Sequence, residues 1–319
     1  MHRTKNRIFI FVKWLVLLAA YSFLVYKLAH VEYWNELKIS FLNPEIQRFV
    51  YFAAILFLMP LNWAIETAKW QLLLSGTVSQ SFGDALKSVL AGLNTGFVTP
   101  NRIGEFAGRI LLLPPAHRPA GVAMSVINSV TQNIIIVVVG LAGAVVYFSE
   151  HYSNLTLKNY LIILFSVISI TLLIYFLFPS FIGKLKTDRW SKNLRNAVNS
   201  LAAIKRNKLS AVLGISAVRY CVFCLQFYLM LLFFNIEISP LQALAAIPVM
   251  YLLITFTPSL AAAEPAIRGS AAVFIFSVYS PDDVGILLTG ILIWLVNFVV
   301  PMLVGSVLIG IAPGSDKNE

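Results

Sequence analysis

Charge is scarce in this chain: only 12% of its residues are Asp, Glu, Lys or Arg, against 59% hydrophobic and a mean hydropathy of +0.81. A soluble domain carries about 25% charge, so this composition leaves too little polar surface to face water and excludes an ordinary soluble enzyme or binding module. Cysteine occurs only at Cys221 and Cys224, within one apolar run, and the four histidines are scattered at 2, 30, 117 and 151. No metal-ligand spacing, haem constellation or disulfide framework can be assembled from these, and the two cysteines read as small buried packing residues. No nucleotide or cofactor motif is present, so no cofactor and no metal are expected. Among the charged residues the acidic ones are the fewer, 14 against 24 Lys and Arg. The resulting +10 does not point to nucleic acid, because the basic residues are grouped between hydrophobic stretches.

What the chain does have is long apolar runs, at about 8–28, 49–65, 84–99, 121–147, 159–179, 209–234, 241–257, 270–279 and 285–311. Most reach the roughly 18–20 residues that cross a bilayer core. The first is too long for a cleaved signal peptide and lacks a small-residue cleavage site, and it reads as an uncleaved span. The expected fold is therefore an all-α, polytopic membrane helical bundle, one transmembrane domain over 1–319.

Loop charge sets the orientation, since Lys and Arg collect on the cytoplasmic side. The basic segments 1–7 and 182–208 belong inside, and the acidic segments 29–47 and 280–284 belong outside. The amino terminus is then cytoplasmic in a cell (inner) membrane, and 182–208 is expected to lie as an amphipathic helix on an anionic lipid surface. Accessibility tags should report residue 1, the region near 195 and residue 319 as cytoplasmic, with residues near 40 and 282 external. Labelling of residue 195 from outside would overturn this topology.

With that orientation, the short runs at 84–99, 241–257 and 270–279 become two re-entrant or broken hairpins that enter from opposite faces. Their tips read alike. Phe97 is followed by Thr99-Pro100, Arg102, Gly104, Glu105 and Arg109; Phe256 is followed by Thr257-Pro258, Glu264 and Arg268. Proline removes an amide donor and turns the preceding residue away from helical geometry, so each Thr-Pro should end one half-helix. The Glu and Arg four residues later share one face of the next half-helix and can pair. This is the pattern of two inverted-topology repeats, about 49–147 and 209–311. Ionisable residues at membrane depth are costly and count as functional candidates. Elsewhere, Arg219 suits either a cavity or a structural pair, with Gln226 on roughly the same face. Asn62, Trp63, Glu66, Lys69 and Trp70 read as interfacial anchors at the end of the second span, and Asn128, Gln132 and Asn133 as interhelical hydrogen-bonding residues.

At Ala68-Lys69-Trp70, Thr99-Pro100-Asn101-Arg102-Ile103-Gly104-Glu105 with Arg109, and Thr257-Pro258 with Glu264, the sequence resembles the flippase-like membrane domain of the lysylphosphatidylglycerol synthase/flippase family, over about 8–311. The resemblance implies movement or binding of a polar-headed lipid. It implies no aminoacyl transfer, because no extramembrane segment is long enough to fold as a synthase domain. In this reading the hairpin tips meet near the bilayer midplane. Arg102, Arg109 and Arg268 hold the lipid phosphate, while Glu105 and Glu264 orient those arginines or meet a cationic headgroup. The half-helix starts after Pro100 and Pro258 add positive dipole ends. A secondary transporter of a small anionic solute and a lipid-modifying membrane enzyme are the alternatives. Lipid identity, direction, energy source and oligomeric state are not written in the sequence.

Overall fold

In the computed structural model, residues 46–97, 99–151, 157–185, 189–258 and 263–310 are described. The expected first span at 8–28, the basic amino terminus and all but the last two residues of the acidic segment 29–47 lie outside them. Among the described residues the chain is helical, with no strand. The helices are α1 (Ile46–Leu74), α2 (Phe82–Phe97), α3 (Gly104–Leu111), α4 (Arg118–His151), α5 (Leu157–Ile182), α6 (Lys192–Ala202), α7 (Arg206–Phe233), α8 (Pro240–Phe256), α9 (Glu264–Phe276), α10 (Asp283–Trp294) and α11 (Val300–Gly310).

Among the described residues, five stretches are long and apolar enough to cross a membrane: Ile46–Leu74, Pro115–Ser149, Leu161–Ile182, Arg206–Phe233 and Asp283–Leu308. The last contains α10 and α11 joined by a π turn over Leu295–Val299. Pro301 has no amide to give the carbonyl four residues back, and a widened turn at this position accommodates the loss. In contrast, α2, α3, α8 and α9 have 16, 8, 17 and 13 residues, short of the roughly 20 needed at 1.5 Å per residue. Both short pairs break at the expected Thr-Pro.

Three readings need correction. The second span does not end at residue 65; α1 continues to Leu74, because Asn62, Glu66 and Lys69 fall on the stripe that faces inward and do not interrupt the helix. The basic segment 182–208 is not one amphipathic helix. The end of α5, the 11 residues of α6 and the start of α7 divide it, with Ser191 capping α6 by accepting from the Leu194 amide. Finally, Cys221 is exposed and Cys224 half-buried, so neither is the buried packing residue expected. An apolar thiol costs little on the outer face of a helix whose solvent is lipid.

The described residues divide into two compact units. One holds residues up to Pro60, the stretch from Val139, and Val222–Asn297. Within it Phe227 stacks on Phe276 at 5.6 Å and meets Tyr251 edge-on at 6.0 Å. Gly143 sits where an added Cβ would lie 2.6 Å from the Ala245 carbonyl, which lets α4 and α8 approach closely. The Ser239 hydroxyl and the Gln242 side chain form a capping box at the start of α8.

The other unit holds Leu61–Val138, the stretch up to Cys221, and the chain from Phe298. Its core gathers Trp70, Leu73, Val89, Met124, Ile127 and Leu209 with neighbours from α5. The Tyr175 hydroxyl bonds both Thr131 Oγ1 at 3.0 Å and the Leu209 carbonyl at 3.1 Å. Helix α11 packs on α2, where the Asn94 amide and the Ser306 hydroxyl hydrogen-bond at 3.1 Å.

Candidate functional site

The first hairpin belongs to the second of these units. Its tip is shaped by Thr99, whose hydroxyl accepts the Gly104 amide at 2.7 Å and so caps α3 while sitting against the last turn of α2. Pro100–Arg102 form a short 3-10 turn in which Asn101 (φ 49°) and Arg102 (φ 58°) both take the left-handed conformation. Such backbone costs of order 1 kcal/mol or more per non-glycine residue. It delivers Arg102 onto the ring of Phe298, with the guanidinium carbon 3.6 Å from the ring centroid.

Glu105 lies in the first turn of α3, at the positive end of the helix, and pairs with Arg109 one turn on at 2.5 Å, as the i, i+4 spacing predicts. Arg109 is only 2% exposed and has a second, more deeply buried partner. Its Nη2 also meets Glu66 Oε1 at 2.6 Å. Glu66 is the centre of the arrangement. Asn128 Nδ2 donates to Oε1 at 2.8 Å, and Oε2 faces Lys69 Nζ at 2.9 Å and Arg219 Nη1 at 3.2 Å. Around this carboxylate Lys69 donates to Ser216 Oγ at 3.3 Å, and Arg219 donates to Asn62 Oδ1 at 2.8 Å and Gln132 Oε1 at 3.3 Å. The face of Trp70 lies 5.5 Å from the Arg109 guanidinium.

Asn62, Glu66, Lys69 and Trp70 are therefore not interfacial anchors: their exposures are 2%, 2%, 0% and 0%. The signal that marks them is their spacing. Ile55, Asn62, Glu66, Lys69 or Trp70, and Leu73 fall at helical intervals on one stripe of α1, the stripe that is buried. Ser216 continues the buried stripe of α7 begun by Leu209 and Val212, and Arg219, half-buried, follows one turn on. Of the two roles open to Arg219 in the sequence, the structure shows it paired.

The second hairpin belongs to the other unit. Thr257 closes α8, its hydroxyl donating to the Leu253 carbonyl at 2.9 Å, and Pro258 follows. Glu264 opens α9, is buried, accepts from Trp294 Nε1 at 2.9 Å and lies 3.7 Å from Arg268 Nε. The expected Glu–Arg pair is thus present here too, with an indole donor added. As with Glu105, the carboxylate itself occupies the positive end of its helix.

Short broken hairpins among helices long and apolar enough to span a membrane, with an ionised network largely buried in one unit, define a polytopic helical membrane protein. The profile of the lysylphosphatidylglycerol synthase TM region matches residues 10–305, nearly the whole chain, and the protein belongs to that family. No curated protein and no solved structure matches it.

Proposed function

We propose that the protein binds a polar-headed phospholipid and moves its headgroup across the cell membrane while the acyl chains stay in lipid. The observation that carries this reading is the ionised network of Glu66, Lys69, Glu105, Arg109 and Arg219, enclosed in a bundle whose outer surface is apolar. Helix packing alone does not require charges at this depth, and charges inside a membrane protein mark the path of a polar substrate. Arg102 and Arg109 on the first hairpin, and Arg268 on the second, are the phosphate-seeking groups, since guanidinium matches phosphate in a bidentate fork. Thr99, Pro100, Thr257 and Pro258 set the hairpin tips, and Glu105 and Glu264 orient the arginines.

The amino terminus and the basic segment face the cytoplasm in this reading. Helix α6 exposes Lys192, Arg195 and Leu194, with Trp190 just before it, and turns Val198 inward. A basic helix with exposed apolar residues suits contact with an anionic leaflet.

The test is reconstitution into liposomes with fluorescent phospholipids of different headgroups. Wild-type protein should speed headgroup movement, and Arg102→Ala should slow it severalfold. The variant should still unfold cooperatively in detergent, so that the lost rate is not lost protein. Rates equal to protein-free liposomes for every headgroup would refute the reading.

A further inference from the structure

Three cations crowd the Glu66 carboxylate, and only one of them can change its charge. Arg109 and Asn128 hold Oε1 while Arg219 faces Oε2 at 3.2 Å, so each oxygen has a guanidinium partner before Lys69 is counted. A guanidinium keeps its proton inside a protein, whereas an ammonium can give one up. Lys69 is therefore the cation whose charge the carboxylate can do without. It is also the most enclosed of the three, with a side chain 0% exposed between Glu66 Oε2 at 2.9 Å and Ser216 Oγ at 3.3 Å.

Ser216 suits either state of that amine. Its hydroxyl accepts from an ammonium and, turned about its C–O bond, donates to a neutral nitrogen. Among the described residues, the charged groups that face Lys69 are Glu66 on its own helix, Arg109 on α3 and Arg219 on α7, with Glu105 beyond Arg109. From α4 the network receives only the neutral Asn128 and Gln132.

The polar atoms left over in the network are of both kinds. Among the described residues, the buried donors Asn62 Nδ2, Trp70 Nε1, Arg109 Nη1 and Gln132 Nε2 and the buried acceptors Glu66 Oε2 and Asn128 Oδ1 have no aligned hydrogen-bond partner. An anion would serve the donors alone and a cation the acceptors alone. Water serves both, and a buried water is held by about three such groups. The network also reaches the surface of its unit at Glu105 and Arg219, whose side chains are 23% and 18% exposed. Lys69 is thus joined through polar groups to two outlets.

We infer that Lys69 is a proton-carrying site, which takes up and releases one proton through water held by the polar groups of the Glu66 network. In release an Nζ–H bond breaks, its electron pair stays on nitrogen, and the proton leaves on water as hydronium; uptake is the reverse. Neutral Lys69 stays on the Ser216 hydroxyl, and Arg109 and Arg219 keep the carboxylate. Intramembrane ionisable chains of this kind serve as proton relays. The inference goes beyond the proposed lipid movement by adding a second species that the protein handles, and rests on that reading only for what the proton drives.

The full-length protein is reconstituted into liposomes that hold a pH-sensitive dye, with valinomycin and a potassium gradient setting the potential. Proton entry and fluorescent phospholipid movement are followed in the same preparation. Wild-type protein should admit protons faster than protein-free liposomes do. Lys69→Arg keeps the positive charge but cannot release its proton, and should reduce proton entry to the protein-free rate. Ser216→Ala removes the hydroxyl that serves both states and should slow entry severalfold, which decides the question should Lys69→Arg fail to fold.

A wild-type protein that admits no protons overturns the inference, as does entry that a folded variant leaves unchanged. Lipid movement without proton entry removes the inference and leaves the proposed function standing. Proton entry that Lys69→Arg abolishes, with no lipid movement by the wild type, upholds the proton site and refutes the lipid reading.

Discussion

Glu66→Ala should be among the most damaging single substitutions in this protein, lowering stability by about 3–5 kcal/mol, the usual consequence of removing one partner from a buried ion pair. Glu66 contacts Arg109, Lys69 and Arg219 at 2.6, 2.9 and 3.2 Å, and its loss leaves the fully buried Lys69 without a carboxylate and takes one from Arg109 and from Arg219. Glu105→Ala removes a carboxylate whose side chain is 23% exposed, and Arg109 keeps Glu66, so its effect should be clearly smaller. Thermal unfolding of the two variants in the same detergent decides the matter. Equal losses would mean that the hairpin's own pair, and not Glu66, holds Arg109.

Gly108→Ala should break the first hairpin even though it adds a single methyl group. A Cβ at Gly108 would overlap Thr95 Oγ1 and the Ala91 carbonyl, and Thr95 is held there by its bonds to the Ala91 and Gly104 carbonyls at 3.0 and 2.7 Å. Backbone on the α2 side cannot yield, so α3 must move outward and carry Arg109 away from Glu66. The cost should be about 1–3 kcal/mol, as for other overpacked sites, with loss of lipid movement. Gly214→Ala on α7 is the matched control. No atom lies within 4 Å of its added Cβ, so better helix propensity should leave it neutral or stabilised by up to about 1 kcal/mol. Similar effects at both positions would show that the close approach of α2 and α3 is not required.

Much of the architecture is legible along the chain because its causes are local. Hydropathy over some twenty residues marks a span, a Thr-Pro step interrupts a helix, and a Glu four residues before an Arg meets it on one face. These rules located the spans within the described residues, both hairpin breaks and both Glu–Arg pairs. The same averaging hid the end of α1. Asn62, Glu66 and Lys69 lower the local hydropathy and so resemble the rim of a span, whereas the helix runs on through them with these side chains turned inward.

The composition and order of residues thus determined a helical membrane protein with two broken hairpins, each carrying a charged pair. Only the tertiary structure decided that Glu66 joins Lys69 on its own helix to Arg109, 43 residues away, and to Arg219 on α7. Ionic attraction has no sequence register of its own. Which carboxylate meets which guanidinium is set by how α1, α3, α4 and α7 pack, and that packing depends on buried stripes and glycine contacts drawn from distant parts of the chain.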